Sequence, residues 1–288
     1  MLMLTFLKKE LVAKSFLFLG YSFSDTLILN NLAMIKNCLS DSCTVHYAIF
    51  EKGEKSTYFV DDLFNRYNIQ VLLVDSKSDY PVVLKEIREK CIERRVFISG
   101  SFDVLPPSED DFANELCASL AESLYKNDYS IVSGMGRKLG NYLAGHAYSY
   151  LSKECIYDIE RKLLMRPFYE KMSPEEKTEH RINMISESNI CIFMFGKSPS
   201  DDGTVVISNG VREEFEIAKK HNKAIIPLPT TKYTSEKIFD DVSKHIVCFP
   251  YLEPYISDLK NSITPQALSS VVVKICDDYL RWRNQAKS

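Results

Sequence analysis

The sequence predicts an α/β protein built on parallel sheets, and three observations carry that reading. Apolar runs of strand length recur along the chain: KSFLFLG, TVHYAIF and IQVLLVD, then RVFISG, SIVSG, ICIFMFG and KAIIPLP. They are continuous rather than alternating, the pattern of strands buried on both faces. Helix-length stretches separate them, so the rhythm is strand–helix–strand throughout.

In order, residues 1–90 read as a short helix at about 4–13 and a strand ending at Gly20. The helix TLILNNLAMIKNCL follows, with Ser24 or Asp25 as its cap. Then come the strand 44–50, a helix around 56–67, the strand 69–75 and a helix over 82–93. Three strands are few for a doubly wound unit, so this part reads as the C-terminal portion of a larger domain. Strands left without neighbours would expose a sheet edge and an apolar face, which calls for a partner chain. A second cycle opens at RVFISG (95–100). The helix DFANELCASLAESLYKN, strand 130–134, helix NYLAGHAYSYL and strands at 163–168, 190–196, 223–229 and 246–250 follow, with further helices at 174–188, 210–221 and 264–283. The division is placed at 1–92 and 93–288.

Composition narrows the function. The chain has 288 residues, 45% of them hydrophobic and 26% charged, which excludes wholesale disorder. Lys and Arg number 36 against 39 Asp and Glu, a formal net charge of −3, so there is no basic footprint for nucleic acid or an anionic membrane. The eight cysteines form no C-x-x-C pair and read as reduced, buried thiols of a cytoplasmic protein. Five scattered histidines show no metal-ligand spacing. The apolar N-terminus carries Lys8, Lys9, Glu10 and Lys14 and lacks a small-residue cleavage site, unlike a signal peptide.

In a parallel sheet the loops leaving the strand C-termini form the binding crevice. Here they are rich in glycine and polar side chains: Ser99-Gly100-Ser101, Ser133-Gly134-Met135-Gly136-Arg137, Arg166-Pro167-Phe168, Gly196-Lys197, and Gly210 to Glu214 at a helix start. Glycines allow close backbone approach, helix N-termini favour anions, and Arg and Lys neutralise phosphate oxygens. A carboxylate such as Glu214 suits ribose hydroxyls. These features suit a phosphorylated or nucleotide ligand. Each also has a plain structural reading: strand-to-helix turns, solvated faces, and a carboxylate at a helix N-terminus. The aromatic residues read as core and interface.

The strings RVFISGS, IVSGMGRKLG, HRINMISESNICIFMFG and NGVREEFEIAKKHNKAIIPLP resemble the SLOG family of sensors for nucleotide-derived ligands, in the branch fused to sirtuin-like or TIR domains in bacterial defence. KSFLFLGYSFSD and IQVLLVD are similar to the last part of a sirtuin-like NADase domain. The resemblance implies a Rossmann-like SLOG domain preceded by a partial sirtuin-like α/β domain. It implies a Thoeris-type anti-phage effector that binds a cyclic ADP-ribose isomer made by a TIR-domain protein, assembles as a homo-oligomer of four or more, and thereby releases NAD+ hydrolysis. Carried over by motif, the ligand contacts are Ser99, Gly100, Ser101, Gly134, Gly136, Arg181, Lys197 and Glu214; Arg181 rests on the resemblance alone. Arg166 and Gly210 join them from the loop reading. The glycine-rich NAD loop and catalytic His of such a domain would lie before this chain's first strand, and His46 sits inside a strand. This chain by itself is therefore expected to be inactive and to carry no cofactor, NAD+ being the substrate of the intact parent. The alternative is a phosphoribohydrolase of the lysine-decarboxylase-like group, whose P-G-G-x-G-T-x-x-E loop is replaced here by SNGVREE, and a third is a purely structural oligomerisation domain. The C-terminal helix, with Trp282, reads equally as a docking element or as the sheet's last cover.

Overall fold

A computed structural model describes residues 2–198 and 206–285. The chain divides into two compact units, Met1–Arg88 and Glu89–Ser288.

The first unit runs α1 (Leu2–Ala13), β1 (Leu17–Leu19), α2 (Thr26–Leu39), β2 (His46–Glu51), α3 (Thr57–Tyr67), β3 (Ile69–Val74) and the start of α4 (Tyr80–Cys91). Its strands form a parallel sheet in the order β1-β2-β3. Asp25 caps α2, its carboxylate accepting from the Leu27 amide at 2.8 Å. Leu11, Phe23, Leu32, Ile35, Ala48, Phe50, Leu63 and Ile69 make the core. Other strand residues are exposed: Leu17 and Leu19 of β1, Tyr47 of β2, Leu72 and Leu73 of β3. His46 is fully buried, its Nδ1 accepting from the Phe16 amide at 3.2 Å. Burial lowers its pKa, so it stays a neutral core residue.

The second unit contains β4 (Arg95–Ser99), α5 (Pro107–Lys126), β5 (Ser130–Ser133), α6 (Arg137–Lys153), α7 (Ile159–Lys162), β6 (Leu163–Met165), α8 (Pro174–Ser186), β7 (Ile190–Phe193), β8 (Lys197–Ser198), β9 (Val206–Ile207), α9 (Asn209–Lys220), β10 (Ala224–Pro227), α10 (Tyr233–Lys244), α11 (Ile256–Asn261) and α12 (Pro265–Gln285). Five of its strands form one parallel sheet, ordered β10-β7-β4-β5-β6. The chain moves outward from β4 to β5 and β6, then returns to the other side of β4 for β7 and β10. That reversal puts the topological switch point between β4 and β7, where open α/β sheets bind ligands. α5 packs against α6 and α12, and α8 against α9, which meets α10; right-handed crossovers put α5 and α6 on one face and α8 and α9 on the other. β7 and β10 are buried at every position, as their continuous apolar sequence requires.

Three expectations need correction. The strand expected at 163–168 stops at Met165, because Pro167 lacks the amide that would continue the ladder. The run 246–250 is not a strand but a 3-10 turn at Ile246–Cys248. The buried Tyr251 hydroxyl instead pairs with both backbone groups of Ile225 on β10, accepting from N at 2.7 Å and donating to O at 3.3 Å, and so closes that sheet edge. Finally, only Cys43, Cys117, Cys191 and Cys276 are buried; Cys38, Cys91, Cys155 and Cys248 are exposed, and all eight are free thiols. Tyr251 packs against Tyr279 and Trp282, so α12 serves as a cover of this unit. Among the described residues no helix is long and apolar enough to cross a membrane.

Candidate functional site

A cavity of about 640 Å³ opens at the C-terminal ends of β4, β5 and β6, walled by the start of α9 and by Arg181 of α8. Its volume lies within the range of small-molecule sites. Four short segments supply most of the lining: Ser99 to Ser101 after β4, Ser133 to Arg137 after β5, Pro167 and Phe168 after β6, and Ser208 to Val211 with Glu214 around the start of α9; Phe97 and Ile98 of β4, Ser198 of β8 and Ile207 of β9 complete it.

The loops are closely fitted. A Cβ on Gly136 would lie 2.1 Å from the Gly100 carbonyl oxygen, and one on Gly100 would lie 2.4 Å from the Met194 carbonyl oxygen. Only glycine lets these backbones pass so near one another. Met135 and Arg137 flank Gly136 with φ of 54° each, a left-handed conformation unusual for residues with a side chain. The β4 exit is tied to the β7 exit by the Met194 and Lys197 amides, which donate to the Ser99 and Ser101 carbonyls at 3.0 and 2.9 Å. Gly136 is the residue before α6 and has no side chain to cap it; of the helix's first amides, Lys138 donates to the Phe102 carbonyl at 3.1 Å and Gly140 to the Gly136 carbonyl at 3.2 Å. Ser208 caps α9 by accepting from the Val211 amide at 3.4 Å. Two helix starts therefore line one cavity with N–H groups and positive dipole ends.

The ionisable centre is Arg181 with Glu214. Ser99 Oγ donates to Glu214 Oε2 at 2.5 Å, and Arg181 Nε lies 3.5 Å from Oε1. Arg181 Nη1 pairs with Glu213 Oε2 at 2.9 Å, and its guanidinium lies over the Phe168 ring, 5.0 Å from the centroid. Glu214 is buried, and desolvation pushes its carboxyl up to about 7, against the opposing effects of the Ser99 hydrogen bond and Arg181. Near neutrality this carboxyl is divided between acceptor and donor forms, either of which can engage a sugar hydroxyl.

Of the residues singled out from sequence, Ser99, Gly100, Ser101, Gly134, Gly136, Arg181, Gly210 and Glu214 all line this cavity. Two do not. Arg166 is exposed and pairs with Glu187 at 3.3 Å. Lys197 directs its Nζ to the Val104 carbonyl at 3.0 Å and lies over the Tyr233 ring, while its backbone belongs to the β8–β9 pair. Phe168 was passed over among the aromatic residues; its signal was its place directly after a strand exit. Glu213 was also missed: it and Glu214 are consecutive acids in the same turn of α9, and nothing in the sequence separates their roles.

Comparison with known proteins agrees with this architecture. The model of the Sir2- and TIR-associating SLOG family matches residues 79–279, well over half of the chain. The chain belongs to that family. A SIR2-like domain model matches residues 3–72. Among curated proteins, the SLOG chain is similar to the NAD(+) hydrolase ThsA of Enterococcus faecium, 33% identical over 83% of this chain and 54% of the relative. The corresponding figures for ThsA of Bacillus cereus are 27%, 91% and 58%, and for ThsA of Acinetobacter baumannii 30%, 83% and 54%. The chain thus spans somewhat more than half the length of the curated relatives it matches. A looser likeness to DNA processing protein A from Helicobacter pylori, at 18% identity over 47% of this chain and 66% of that one with a TM-score of 0.30, bears on neither fold nor ligand.

Proposed function

We propose that the SLOG unit is the sensor of an anti-phage effector: it binds a cyclic ADP-ribose isomer produced by a TIR-domain protein. In the whole protein, working as a homo-oligomer in the cytoplasm, that binding controls NAD+ hydrolysis by the SIR2-like domain. The observation that carries the reading is the convergence on one cavity of two helix N-termini, close-packed glycine loops and the buried Arg181–Glu214 pair. The helix starts and Arg181 supply the electropositive groups a diphosphate needs. Glu214 with Ser99 supplies the polar pair a ribose needs, and the Phe168 ring, stacked under the Arg181 guanidinium, adds an apolar wall. The similarity to proteins named NAD(+) hydrolases and the TIR association in the family's description support the link to nucleotide signalling.

Isothermal titration of the purified chain with cyclic ADP-ribose isomers, ADP-ribose and NAD+ tests the reading. Saturable binding of one isomer is expected, weakened about tenfold or more by Arg181→Ala, the loss of a charge-assisted phosphate contact. Lys197→Ala is expected to weaken it less than Arg181→Ala, because its ammonium is engaged by Val104 outside the cavity lining. No binding by folded protein would refute the sensor. The buried carboxyl at about 7 also suits a general acid, so release of free base from a nucleoside monophosphate, lost in Glu214→Gln, would instead favour phosphoribohydrolase chemistry.

A further inference from the structure

We infer that Glu213 is an internal competitor for the ligand's anionic group: it pairs with Arg181 and sets the affinity at which a phosphate displaces it. The inference rests on the cavity being a nucleotide site, as proposed above, and concerns a residue outside its lining.

The observations form a chain across three elements. Thr178 of α8 donates from Oγ1 to Glu213 Oε1 at 2.5 Å, fixing that carboxylate. Its other oxygen, Oε2, lies 2.9 Å from Arg181 Nη1. The same guanidinium reaches Glu214 through Nε, and Glu214 in turn holds Ser99 of β4. The Arg181 side chain is only 14% exposed and sits between two carboxylates over the Phe168 ring. Its remaining nitrogen, Nη2, is the one that comes near Gly210 at the start of α9, where a Cβ would lie 2.9 Å from it. A buried cation with a single carboxylate is already neutral; with two, the pair has excess negative charge whenever Glu214 is ionised. An anionic ligand arriving at Nη2 therefore meets a guanidinium whose charge is spent, and must be repelled by Glu213 or release it. Glu213, with a side chain 36% exposed, is the carboxylate that can turn toward water; Glu214 is buried.

The chemistry separates competition from simple positioning. A Gln at 213 keeps the shape and can still accept from Thr178, but it removes the charge. Competition predicts that Glu213→Gln tightens binding by about threefold or more, the scale of a partly exposed ion pair. It also predicts a change in pH profile. Glu214 is faced by the Ser99 hydroxyl from β4, Arg181 from α8 and the Cys191 thiol from β7, with Glu213 beside it on α9. Glu213 is one of the charges that hold the Glu214 carboxyl up, so its removal shifts the midpoint of the affinity-versus-pH curve downward.

The experiment titrates wild type and Glu213→Gln with ADP-ribose and the cyclic isomers between pH 5.5 and 8.5, with circular dichroism melts to establish folding. Tighter binding with a lowered midpoint supports the inference. Equal or weaker binding by a folded variant overturns it and leaves the nucleotide site standing, since Glu213 then only positions Arg181. If neither protein binds any probe, the nucleotide reading fails and the inference with it.

Discussion

The two glycine loops at the cavity floor provide the sharpest test of the architecture. Replacing Gly136 with Ala adds one methyl group 2.1 Å from the Gly100 carbonyl oxygen and 3.2 Å from Ser101 Cβ. Ordinary contact begins near 3.4 Å, so the loops after β4 and β5 must part by about 1.3 Å. Neither is free to do so cheaply: the β4 loop is held to the β7 exit through Met194 and Lys197, and the Lys138 amide donates to the Phe102 carbonyl at 3.1 Å. Overpacking of this kind costs about 1–3 kcal/mol. For a unit of this size, about 2–4 °C of melting temperature per kcal/mol gives a fall of roughly 2–12 °C. Ligand affinity should fall by about tenfold or more, because the amides that would cradle phosphate are displaced by more than a hydrogen bond tolerates. Gly145→Ala is the internal control. It lies in the middle of α6, exposed, with nothing within 4 Å of its added Cβ. There the same substitution removes a helix-interior glycine and should stabilise by about 0.5–1 kcal/mol. Scanning calorimetry and titration of both variants decide the matter. A Gly136→Ala protein that melts at or above wild type and binds equally would refute the close approach of the two loops.

Two further outcomes follow from buried polar groups. Glu214 has its folded pKa raised to about 7 from an ordinary 4.5, so the native state holds a proton that the unfolded chain has lost. Its contribution is therefore complete below about 4.5 and disappears as pH rises through 7, a loss of roughly 3 kcal/mol; melting temperatures from pH 5 to 8.5 should fall more steeply in wild type than in Glu214→Gln, and parallel curves would show that the carboxyl is not desolvated. Tyr251→Phe strips the Ile225 amide of its 2.7 Å acceptor on the edge strand β10, which should cost about 1–3 kcal/mol in denaturant titration; a change below about 0.5 kcal/mol would mean that the edge finds another partner.

The parallel strands were legible because interior strands must be apolar at every position, which leaves an unmistakable run. β4, β5, β7 and β10 fall within two or three residues of their expected spans. What escaped were elements whose stability comes from elsewhere in the fold. Helix α10 carries apolar Ile238, Phe239 and Val242 at helical spacing, yet it starts from Lys232 and Tyr233 at φ of 62° and 56° with no side-chain cap. Its start is fixed by Thr234, which donates to the Gly196 carbonyl at 2.5 Å, and by Ser235, which donates to the Phe193 carbonyl at 2.7 Å. Those bonds span about forty residues and leave no trace in local sequence. IVCFP failed in the opposite direction: its composition suits a strand, but Tyr251 had already closed the edge it would have joined.

The same distinction decides the site. Glycines declared themselves because their function is local: a strand exit followed by a helix start needs a backbone without a Cβ, and each loop places its own. Cations gave no such signal. Arg166, Arg181 and Lys197 are equivalent as letters, each near a strand end or a motif, and only the fold reveals which carboxylate or carbonyl each one meets. Arg166 meets Glu187 and Lys197 meets Val104 and Tyr233, both outside the cavity lining. Arg181 reaches the cavity but arrives with two carboxylates attached. Its usefulness to a ligand therefore depends less on its own charge than on how readily Glu213 and Glu214 give it up. Protonation of Glu214 and displacement of Glu213 are separable, since one is buried and titrates while the other is partly exposed and hydrogen-bonded to Thr178. If the cavity is the nucleotide site proposed above, an anion has to offset what two internal carboxylates already provide, so ADP-ribose, which can engage the helix starts and the Ser99–Glu214 pair together, is expected to bind more tightly than inorganic phosphate in titration; equal affinities would overturn that reasoning.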